Sequence, residues 1–444
     1  MRDMTEERLL VVRSYARTVM PDARTPLRES RRMSSYWHPF GDMGAVTASG
    51  PFVIDRGEGA YVFDENGRRY YDAAAGLWYC NVGYGRSEIA DAAAKQMRKL
   101  SAYSNFGDFA TRPTLDLAER LAELAPVEDA KVFFTSGGSD SVDTAAKLVL
   151  RYWSELGKPE REVIIVRDRA YHGMHAGGTG LAGIPDNRAG YPQLINNVER
   201  VAHDDAKALA DTIERVGADR VAAFFCEPVI GAGGVHAVPA AYLTEVREIC
   251  RRNGVIFVAD EVICGFGRLG EWFASTRFDL DPDIITCAKG LTSGYLPMGA
   301  VIIASRLAEP FFRAPGVMWR HGYTYSGHAT AAAAAMANLD ILERERLIPR
   351  VRELEGELAD TLRPLTEHAL VSDVRCGTGF LAAIQLDVTA RPDLPGGILG
   401  GLRKAGVVTR LLAGGALQVS PSFVSTAADL KSLADAVIEV LDAA

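Results

Sequence analysis

The sequence has few cysteines, and none of them is spaced for a metal site or a disulfide framework. Its 444 residues include six cysteines and eight histidines, with no Cys-x-x-Cys pair and no zinc-ligand spacing. Three cysteines lie in or beside apolar segments, where this side chain packs as a small apolar residue. We therefore expect no metal ion and a reducing compartment, the cytoplasm.

Excess positive charge and long apolar runs are also absent. The formal net charge is −8 and no block of Lys and Arg occurs, which argues against a nucleic-acid partner. The alanine-rich run 329–337 is too short to span a bilayer, and residues 1–7 lack the basic and apolar regions of a signal peptide. We expect no nucleic-acid or membrane partner.

Between about residues 131 and 304, apolar strands alternate with amphipathic helices. Helices are predicted near 140–156, 204–216 and 239–252. The predicted strands between and around them are Lys131–Phe134, Glu162–Val166, Val221–Cys226, Val255–Val258, Asp283–Thr286 and Ala300–Ala304. This alternation predicts an α/β fold with a mostly parallel central sheet covered on both faces.

The two ends of the chain are predicted to form a second, smaller α+β domain. Helices are expected near 350–365, 394–405 and 427–441, with few strands between them. An Asn-Gly turn within residues 60–71 predicts a hairpin that completes this domain. Since 444 residues exceed one ordinary domain, we predict a large domain over 75–330 and a small one built from 1–74 and 331–444.

Two charged residues follow predicted strands, where open α/β sheets bind ligands. Asp260 closes the run that begins at Val255, and Lys289 lies just past the run that begins at Ile284. A lysine there can form a Schiff base with a carbonyl cofactor, and an aspartate can pair with the pyridinium nitrogen of pyridoxal phosphate (PLP). A surface lysine and a solvated carboxylate are the alternative for these two residues alone.

A glycine-containing turn is a candidate phosphate site. Thr135-Ser-Gly-Gly-Ser-Asp140 follows a predicted strand and opens a helix, so the N–H groups of Gly138 and Ser139 could reach an anion at the helix N-terminus. A capped turn without a ligand is the alternative. A second pattern, Gly178–Gly183, matches a dinucleotide motif by letter, but no strand directly precedes it, so we predict a loop there.

Further residues near strand ends could surround a planar ring. Tyr171 could stack on it, Val262 lies on the same side as Asp260, and Glu227 could be a hydrogen-bond partner. Taken alone, Tyr171 is better explained as a core tyrosine, and Glu227 fits a solvated strand end equally well.

In this order, the motifs resemble those of the class III aminotransferases, PLP enzymes of fold type I. The most specific stretches are Val258–Arg268, Ala288–Gly294 and His321–His328. Within the family, the chain looks closest to the omega-amino acid:pyruvate and amine:pyruvate transaminases. The resemblance implies ping-pong transfer of an amino group from an amine donor to a keto acid. An aminomutase, racemase or decarboxylase is the alternative, because PLP supplies the electron sink for all of them.

The resemblance also implies roles for single residues. Around the cofactor it implies Lys289 as the Schiff-base lysine, Asp260 at the ring nitrogen, Tyr171 and Val262 against the ring faces, and Gly138 and Ser139 at the phosphate. Thr324 would reach the phosphate of a neighbouring subunit, which implies a homodimer, or a tetramer of two dimers.

For the substrate, the resemblance implies Trp78 in the pocket wall and Arg410 as the group that binds a carboxylate and swings aside for an amine that lacks one. Taken alone, Arg410 is better explained as a surface arginine after a short strand. Some relatives have a glutamate that neutralises this arginine, where this chain has Ala232. That departure favours pyruvate over 2-oxoglutarate as the acceptor.

Overall fold

The computed structural model describes residues 35–191, 194 and 197–444. It divides into two units, of which the first ends at Val53 and the second is Ile54–Ala444. The described part of the first unit contains helix α1 (Met43–Ser49), where the Asp42 side chain accepts a hydrogen bond from the Ala45 N–H. This cap satisfies one of the N–H groups that a helix leaves unpaired at its start.

The strands of the second unit alternate with its helices along the chain. In order they are β1 (Ile54–Glu58), β2 (Tyr61–Asp64), β3 (Arg69–Asp72), β4 (Lys131–Thr135), β5 (Val163–Arg167), β6 (Val198–Val201), β7 (Val221–Cys226), β8 (Val229–Ile230), β9 (His236–Ala237), β10 (Ile256–Asp260), β11 (Ile284–Cys287), β12 (Gly299–Ile303), β13 (Val371–Arg375), β14 (Ala382–Leu386), β15 (Val407–Val408), β16 (Leu411–Leu412) and β17 (Ala416–Val419).

The helices of this unit range from single turns to 18 residues. They are α2 (Ala75–Trp78), α3 (Ser87–Leu100), α4 (Arg112–Leu124), α5 (Gly138–Glu155), α6 (Ala176–Leu181), α7 (Pro185–Arg188), α8 (Ala206–Val216), α9 (Ala240–Arg252), α10 (Ala274–Phe278), α11 (Ser305–Phe312), α12 (Ala329–Arg344), α13 (Leu347–Leu362), α14 (Leu394–Lys404) and α15 (Ala427–Asp442), with 3₁₀ turns at Lys289–Leu291 and Arg363–Glu367.

Among the described residues, seven strands form the central sheet in the order β4-β12-β11-β10-β7-β5-β6. Only β12 runs antiparallel to its neighbours, and the pairs β11–β10, β10–β7, β7–β5 and β5–β6 are parallel. The predicted α/β fold with a mostly parallel sheet is confirmed. Strand β6, at one edge, was not predicted.

Alternate residues of each strand pack on opposite faces of the sheet, as the period of two requires. On one face, Ile164 and Val166 pack in a cluster with α5 residues such as Val149. On the other face, Ile165 and Phe224 belong to the larger core. Complete burial of side chains of this size contributes about 1.5–3 kcal/mol each, which explains the nearly continuous apolar strands.

Of the two four-stranded sheets among the described residues, one joins the hairpin near the N-terminal end to a C-terminal strand, and the other contains C-terminal strands alone. The parallel pairing of β15 with β3 sets Val407 opposite Tyr71 and joins the hairpin to the C-terminal region. The second sheet has the order β13-β14-β17-β16.

The segment Gly178–Gly183 is not the predicted loop, because most of it belongs to α6. A Cβ atom at Gly178 would lie 2.2 Å from the His172 carbonyl oxygen, and one at Gly183 would lie 2.2 Å from the Arg167 carbonyl oxygen. These glycines therefore allow α6 to pack directly against the backbone that follows β5.

Arg268 connects segments that are far apart in the sequence. Its side chain is fully buried and donates to the carbonyl oxygens of Phe380 (2.9 Å) and Pro421 (2.7 Å) and to Asn81 Oδ1 (2.8 Å). The Asn81 amide donates in turn to the Phe266 carbonyl oxygen at 2.9 Å. Burial lowers the pKa of Arg268 to about 9, a sign of how completely water is excluded from this arginine.

Substitution Arg268→Lys should destabilise the protein, because an ammonium cannot reproduce the forked donors of a guanidinium. Leaving buried acceptors unpaired costs about 2–4 kcal/mol, so the thermal unfolding midpoint should fall by several degrees. Arg352→Lys is the matched control, since Arg352 forms an exposed pair with Glu271 that contributes little. Equal midpoints for the two variants would contradict this account.

Candidate active site

A cavity of about 400 Å³ lies at the carboxyl edge of the central sheet. Its walls come from segments that follow β4, β5, β7, β10 and β11, so the predicted strand-end residues meet at one place. The volume is typical of small-molecule sites. The lining residues on which the following argument depends are Tyr79, Gly138, Ser139, Tyr171, His172, Glu227, Asp260, Val262, Ile263, Lys289 and Gly294.

Lys289 begins the 3₁₀ turn directly after β11. Its φ of 44° lies in the left-handed region, which is uncommon for a residue with a side chain and recurs at functional sites. Removal from water lowers its pKa to about 8, although the carboxylates of Asp260 and Glu227 act in the opposite direction. A sizeable fraction of this amine is therefore neutral and nucleophilic near physiological pH.

Asp260 ends β10 and is fixed by three hydrogen bonds. Its Oδ2 lies 2.7 Å from His172 Nδ1, while Oδ1 accepts from the Thr286 hydroxyl at 3.1 Å and from the Val262 N–H at 3.2 Å. Both Asp260 and His172 are buried. The carboxylate is thus held in one orientation beside the cavity.

His172 is a site residue that the sequence did not single out. It follows Tyr171 directly, but only the fold shows that its ring turns towards Asp260. With Nδ1 bonded to the carboxylate, the buried Nε2 has no hydrogen-bond partner among the described residues. With a hydrogen on Nδ1, the ring donates to Asp260 and holds the carboxylate in place.

Glu227 connects two loops at the cavity. One carboxylate oxygen accepts from the Tyr171 N–H at 3.0 Å and the other from the Gly231 N–H at 3.1 Å. Burial raises the pKa of Glu227, whereas these two hydrogen bonds favour its charged form. Glu227 therefore positions the Tyr171 segment against the turn that contains Ala232.

Gly138 and Ser139 begin the 18-residue helix α5, so their N–H groups are among those that a helix leaves unpaired. A Cβ atom at Gly138 would lie 2.7 Å from Val262 Cγ1, which places Val262 against this helix end. Ser139 Oγ accepts from the Met174 N–H at 3.1 Å. The cavity thus has an anion-binding end next to an apolar wall.

Tyr79, rather than Trp78, lines the cavity in this chain. The Tyr79 ring occupies space left by two glycines, since a Cβ atom at Gly76 or Gly294 would lie 2.2 or 2.3 Å from it. Trp78 is buried in an apolar cluster that includes Ile263. Tyr79 was missed because a sequence does not show which of two adjacent side chains faces a cavity.

Besides Trp78, three more predicted site residues lie outside the lining of the cavity. Thr324 is exposed in a turn, next to Tyr323, whose hydroxyl donates to the Asp140 carbonyl oxygen. Ala232 lies in the turn between β8 and β9. Arg410 lies between β15 and β16. Its positive charge helps to lower the pKa of Lys289. It also favours the charged form of Tyr171, whose pKa is raised by burial.

The cavity fits PLP in its donor set. Lys289 supplies a desolvated amine, Asp260 a fixed carboxylate for a protonated ring nitrogen, and the start of α5 unpaired N–H groups for a phosphate. Tyr171 and Val262 supply an aromatic and an apolar surface. An open α/β sheet with these groups at its carboxyl edge defines a PLP-dependent enzyme of fold type I.

Neither a metal site nor a membrane-spanning helix is supported by the described residues. No group of three or more His, Cys, Asp or Glu side chains in the described part of the chain could hold a metal ion. None of the described helices is long and apolar enough to cross a membrane.

Comparison with known proteins identifies the family. Residues 44–441 match the model of aminotransferase class-III. The putrescine–pyruvate aminotransferase of Pseudomonas aeruginosa is 39% identical over 81% of this chain and 82% of its own length. The omega-amino acid–pyruvate aminotransferase of Pseudomonas putida is 36% identical over 95% and 99%.

A solved structure agrees with this result. The PLP-bound amine transaminase from an uncultivated Pseudomonas species superposes with a TM-score of 0.87 and 36% identity, covering 92% of this chain and 99% of that one. The chain belongs to the class III aminotransferase family and is a PLP-dependent aminotransferase, so the resemblance read from the motifs is confirmed.

The low pKa of Lys289 predicts unusual reactivity in the cofactor-free protein. Acetylation of Lys289 by acetic anhydride, followed by mass spectrometry, should rise with a midpoint near pH 8, because the neutral amine is the reactive form. Lys207 is an internal control, since its hydrogen bond to Asp211 raises its pKa above the usual 10.5.

In Asp260→Asn, the Lys289 midpoint should move to lower pH, because a carboxylate that stabilises the ammonium has been removed. A Lys289 midpoint equal to that of Lys207 would show that Lys289 is solvated.

Proposed function

We propose that this aminotransferase moves an amino group from an omega-amino acid or a primary amine to a keto acid, with pyruvate as the preferred acceptor. The observation that carries the proposal is that the desolvated Lys289 and the carboxylate of Asp260 line one cavity, with the charge of Arg410 close enough to affect the pKa of Lys289. The names of the two Pseudomonas relatives support the substrate class, since both are pyruvate aminotransferases.

PLP, when bound, supplies an electron-poor ring that accepts the electrons left as a substrate C–H bond breaks. Lys289 holds the cofactor and, once free, moves the proton as a general base and acid, for which a pKa of about 8 is well matched to neutral pH. Asp260, held by His172 and Thr286, keeps the ring nitrogen protonated. Gly138 and Ser139 bind the phosphate.

In this proposal, Arg410 recognises the substrate carboxylate. A guanidinium matches a carboxylate in geometry and charge, so Arg410 binds the acceptor and the acidic end of an omega-amino acid. Ala232 offers no charge to neutralise it. Trp78 would shape the pocket from its buried cluster.

We also infer a cytoplasmic homodimer, or a tetramer of two dimers, in which Thr324 completes the neighbour's phosphate site. The exposed position of Thr324 supports this role, because its side chain is free to contact a second chain. A groove near that turn contains the exposed apolar side chains of Phe106, Phe312 and Met318. Apolar surface of this kind is typical of protein interfaces.

The proposed domain division gives the large domain residues 75–330 and the small domain residues 1–74 and 331–444. It is supported within the second unit by the pairing of β3 with β15. Limited proteolysis should release stable fragments with these boundaries. Fragments with other boundaries, each with its own calorimetric unfolding transition, would overturn the division.

The proposed reaction is tested with a panel of amine donors against pyruvate and 2-oxoglutarate, with alanine and glutamate quantified. Alanine should form from pyruvate with several carboxylate-free amines. Exclusive formation of glutamate would overturn the acceptor assignment, and consumption of a donor without either product would overturn transamination.

Asp260→Asn should slow the single-turnover reaction with an amine donor by roughly 10²–10⁴-fold, because a neutral amide cannot stabilise the positive ring nitrogen. Cofactor affinity, measured by titration, should change much less. Asp168→Asn is the matched control, since Asp168 also follows a strand and contacts a histidine, His203, at 3.0 Å. A loss below tenfold for Asp260→Asn would contradict the assigned role.

Arg410→Ala should raise the pyruvate KM by roughly 10–100-fold, since a charged hydrogen bond contributes about 1.5–3 kcal/mol and 1.4 kcal/mol is a factor of ten. The first half-reaction with a carboxylate-free amine should be nearly unchanged. Arg352→Ala serves as the surface control. Equal losses in both half-reactions would show that Arg410 has a structural role.

Mixing two inactive variants tests the shared site. If Lys289→Ala and a Thr324→Asp variant exchange subunits, some sites regain both native residues and activity returns on mixing. Covalent cross-linking of each dimer before mixing is the control, because it prevents exchange. A fully active monomer at all dilutions would exclude the homodimer.

A further inference from the structure

Arg410 has one hydrogen-bonded side-chain partner in the described part of the chain, and this partner is uncharged. The Arg410 Nε donates to Gln418 Oε1 at 2.7 Å. Its two terminal nitrogens have no partner among the described residues. The guanidinium is therefore anchored at one edge while its positive charge and its other edge remain available.

Gln418 itself is completely buried and held on several sides. Its amide nitrogen donates to Ser420 Oγ at 2.6 Å and to the Ala74 carbonyl oxygen at 3.4 Å, and its backbone N–H donates to the Arg410 carbonyl oxygen at 3.0 Å. The opposite amide orientation would point two N–H donors at the Arg410 N–H. Only one orientation is compatible with all of these neighbours.

We propose that Gln418 is the positioning residue that directs Arg410 towards the substrate carboxylate, an inference that rests on the function proposed for Arg410. A neutral amide can orient a guanidinium without satisfying its charge. A carboxylate at the same place would form a charge-assisted pair with Arg410 and compete with the substrate. Gln418 therefore anchors one edge of the Arg410 guanidinium and leaves its charge available to a substrate carboxylate.

Gln418 also connects Arg410 to the segment that leads to Tyr79 at the cavity. The Ala74 carbonyl, which its amide approaches, directly precedes α2, and α2 is followed by Tyr79 at the cavity. One buried amide therefore contacts both the arginine and the segment that presents the Tyr79 ring. The acceptor class that this arrangement fits is a small keto acid with one carboxylate.

The test compares Gln418→Glu with the matched control Gln385→Glu. Gln385 likewise accepts from an arginine, Arg375, at 3.0 Å, but Arg375 is already paired with Asp373 and has no proposed role in substrate binding. In Gln418→Glu the pyruvate KM should rise at least tenfold, while the half-reaction with a carboxylate-free amine should change less than threefold. In Gln385→Glu, the pyruvate KM and the rate of the half-reaction should each stay within twofold of the wild-type value.

The pH dependence gives a signature that a merely structural role would not produce. In Gln418→Glu the pyruvate KM should fall towards the wild-type value as the pH is lowered, because protonation removes the competing charge. Gln418→Met, which has no charge, should show a smaller increase in KM without this recovery. In an Arg410→Ala background, Gln418→Glu should add less than a twofold effect.

The outcomes separate this inference from the proposed function. If Arg410→Ala raises the pyruvate KM but Gln418→Glu does not, Gln418 is not the positioning residue and the function stands. If Arg410→Ala leaves the pyruvate KM unchanged, the acceptor role of Arg410 fails, and this inference fails with it. Equal loss in both half-reactions of Gln418→Glu, with a lower unfolding midpoint, would show that Gln418 serves packing alone.

Discussion

The common direction of strands β4, β5, β7, β10 and β11 is the constraint on which the site depends. Parallel strands end at the same edge of a sheet, so residues as far apart in the sequence as Gly138 and Lys289 are brought to one cavity. The same edge concentrates the starts of helices, where N–H groups lack partners. The positive helix end of α5 and the desolvated Lys289 therefore follow from the topology before any specific side-chain contact is considered.

Within that arrangement, burial governs the chemistry. The pKa of Lys289 is lowered because water is excluded from its amine, and the pKa of Glu227 is raised for the same reason. Asp260 is held by donors on both of its oxygens. One environment thus produces an amine that is partly neutral near physiological pH and a fixed carboxylate at the same cavity, the combination that cofactor bonding and proton transfer require.

The sequence predicted what depends on strand ends and on the family resemblance, and it missed what depends on side-chain direction. Lys289, Asp260 and Tyr171 lie at the cavity as expected, because a strand end fixes the position of the residue that follows it. His172 and Tyr79 were not identified, since each lies beside a predicted residue and only the fold determines which of the two faces the cavity. Tertiary packing also placed most of Gly178–Gly183 in a helix that ends at Leu181, where sequence context predicted a loop.

The contacts of Arg268 limit how early the second unit can finish folding during synthesis. Its partners lie up to 187 residues before it and 153 residues after it. On a ribosome, the arginine and the surrounding strands are made long before Phe380 and Pro421 leave the exit tunnel. Until then, burial of the guanidinium would leave a charge with only one of its three acceptors, Asn81 Oδ1, so the second unit reaches its final packing only when nearly the whole chain has been synthesised.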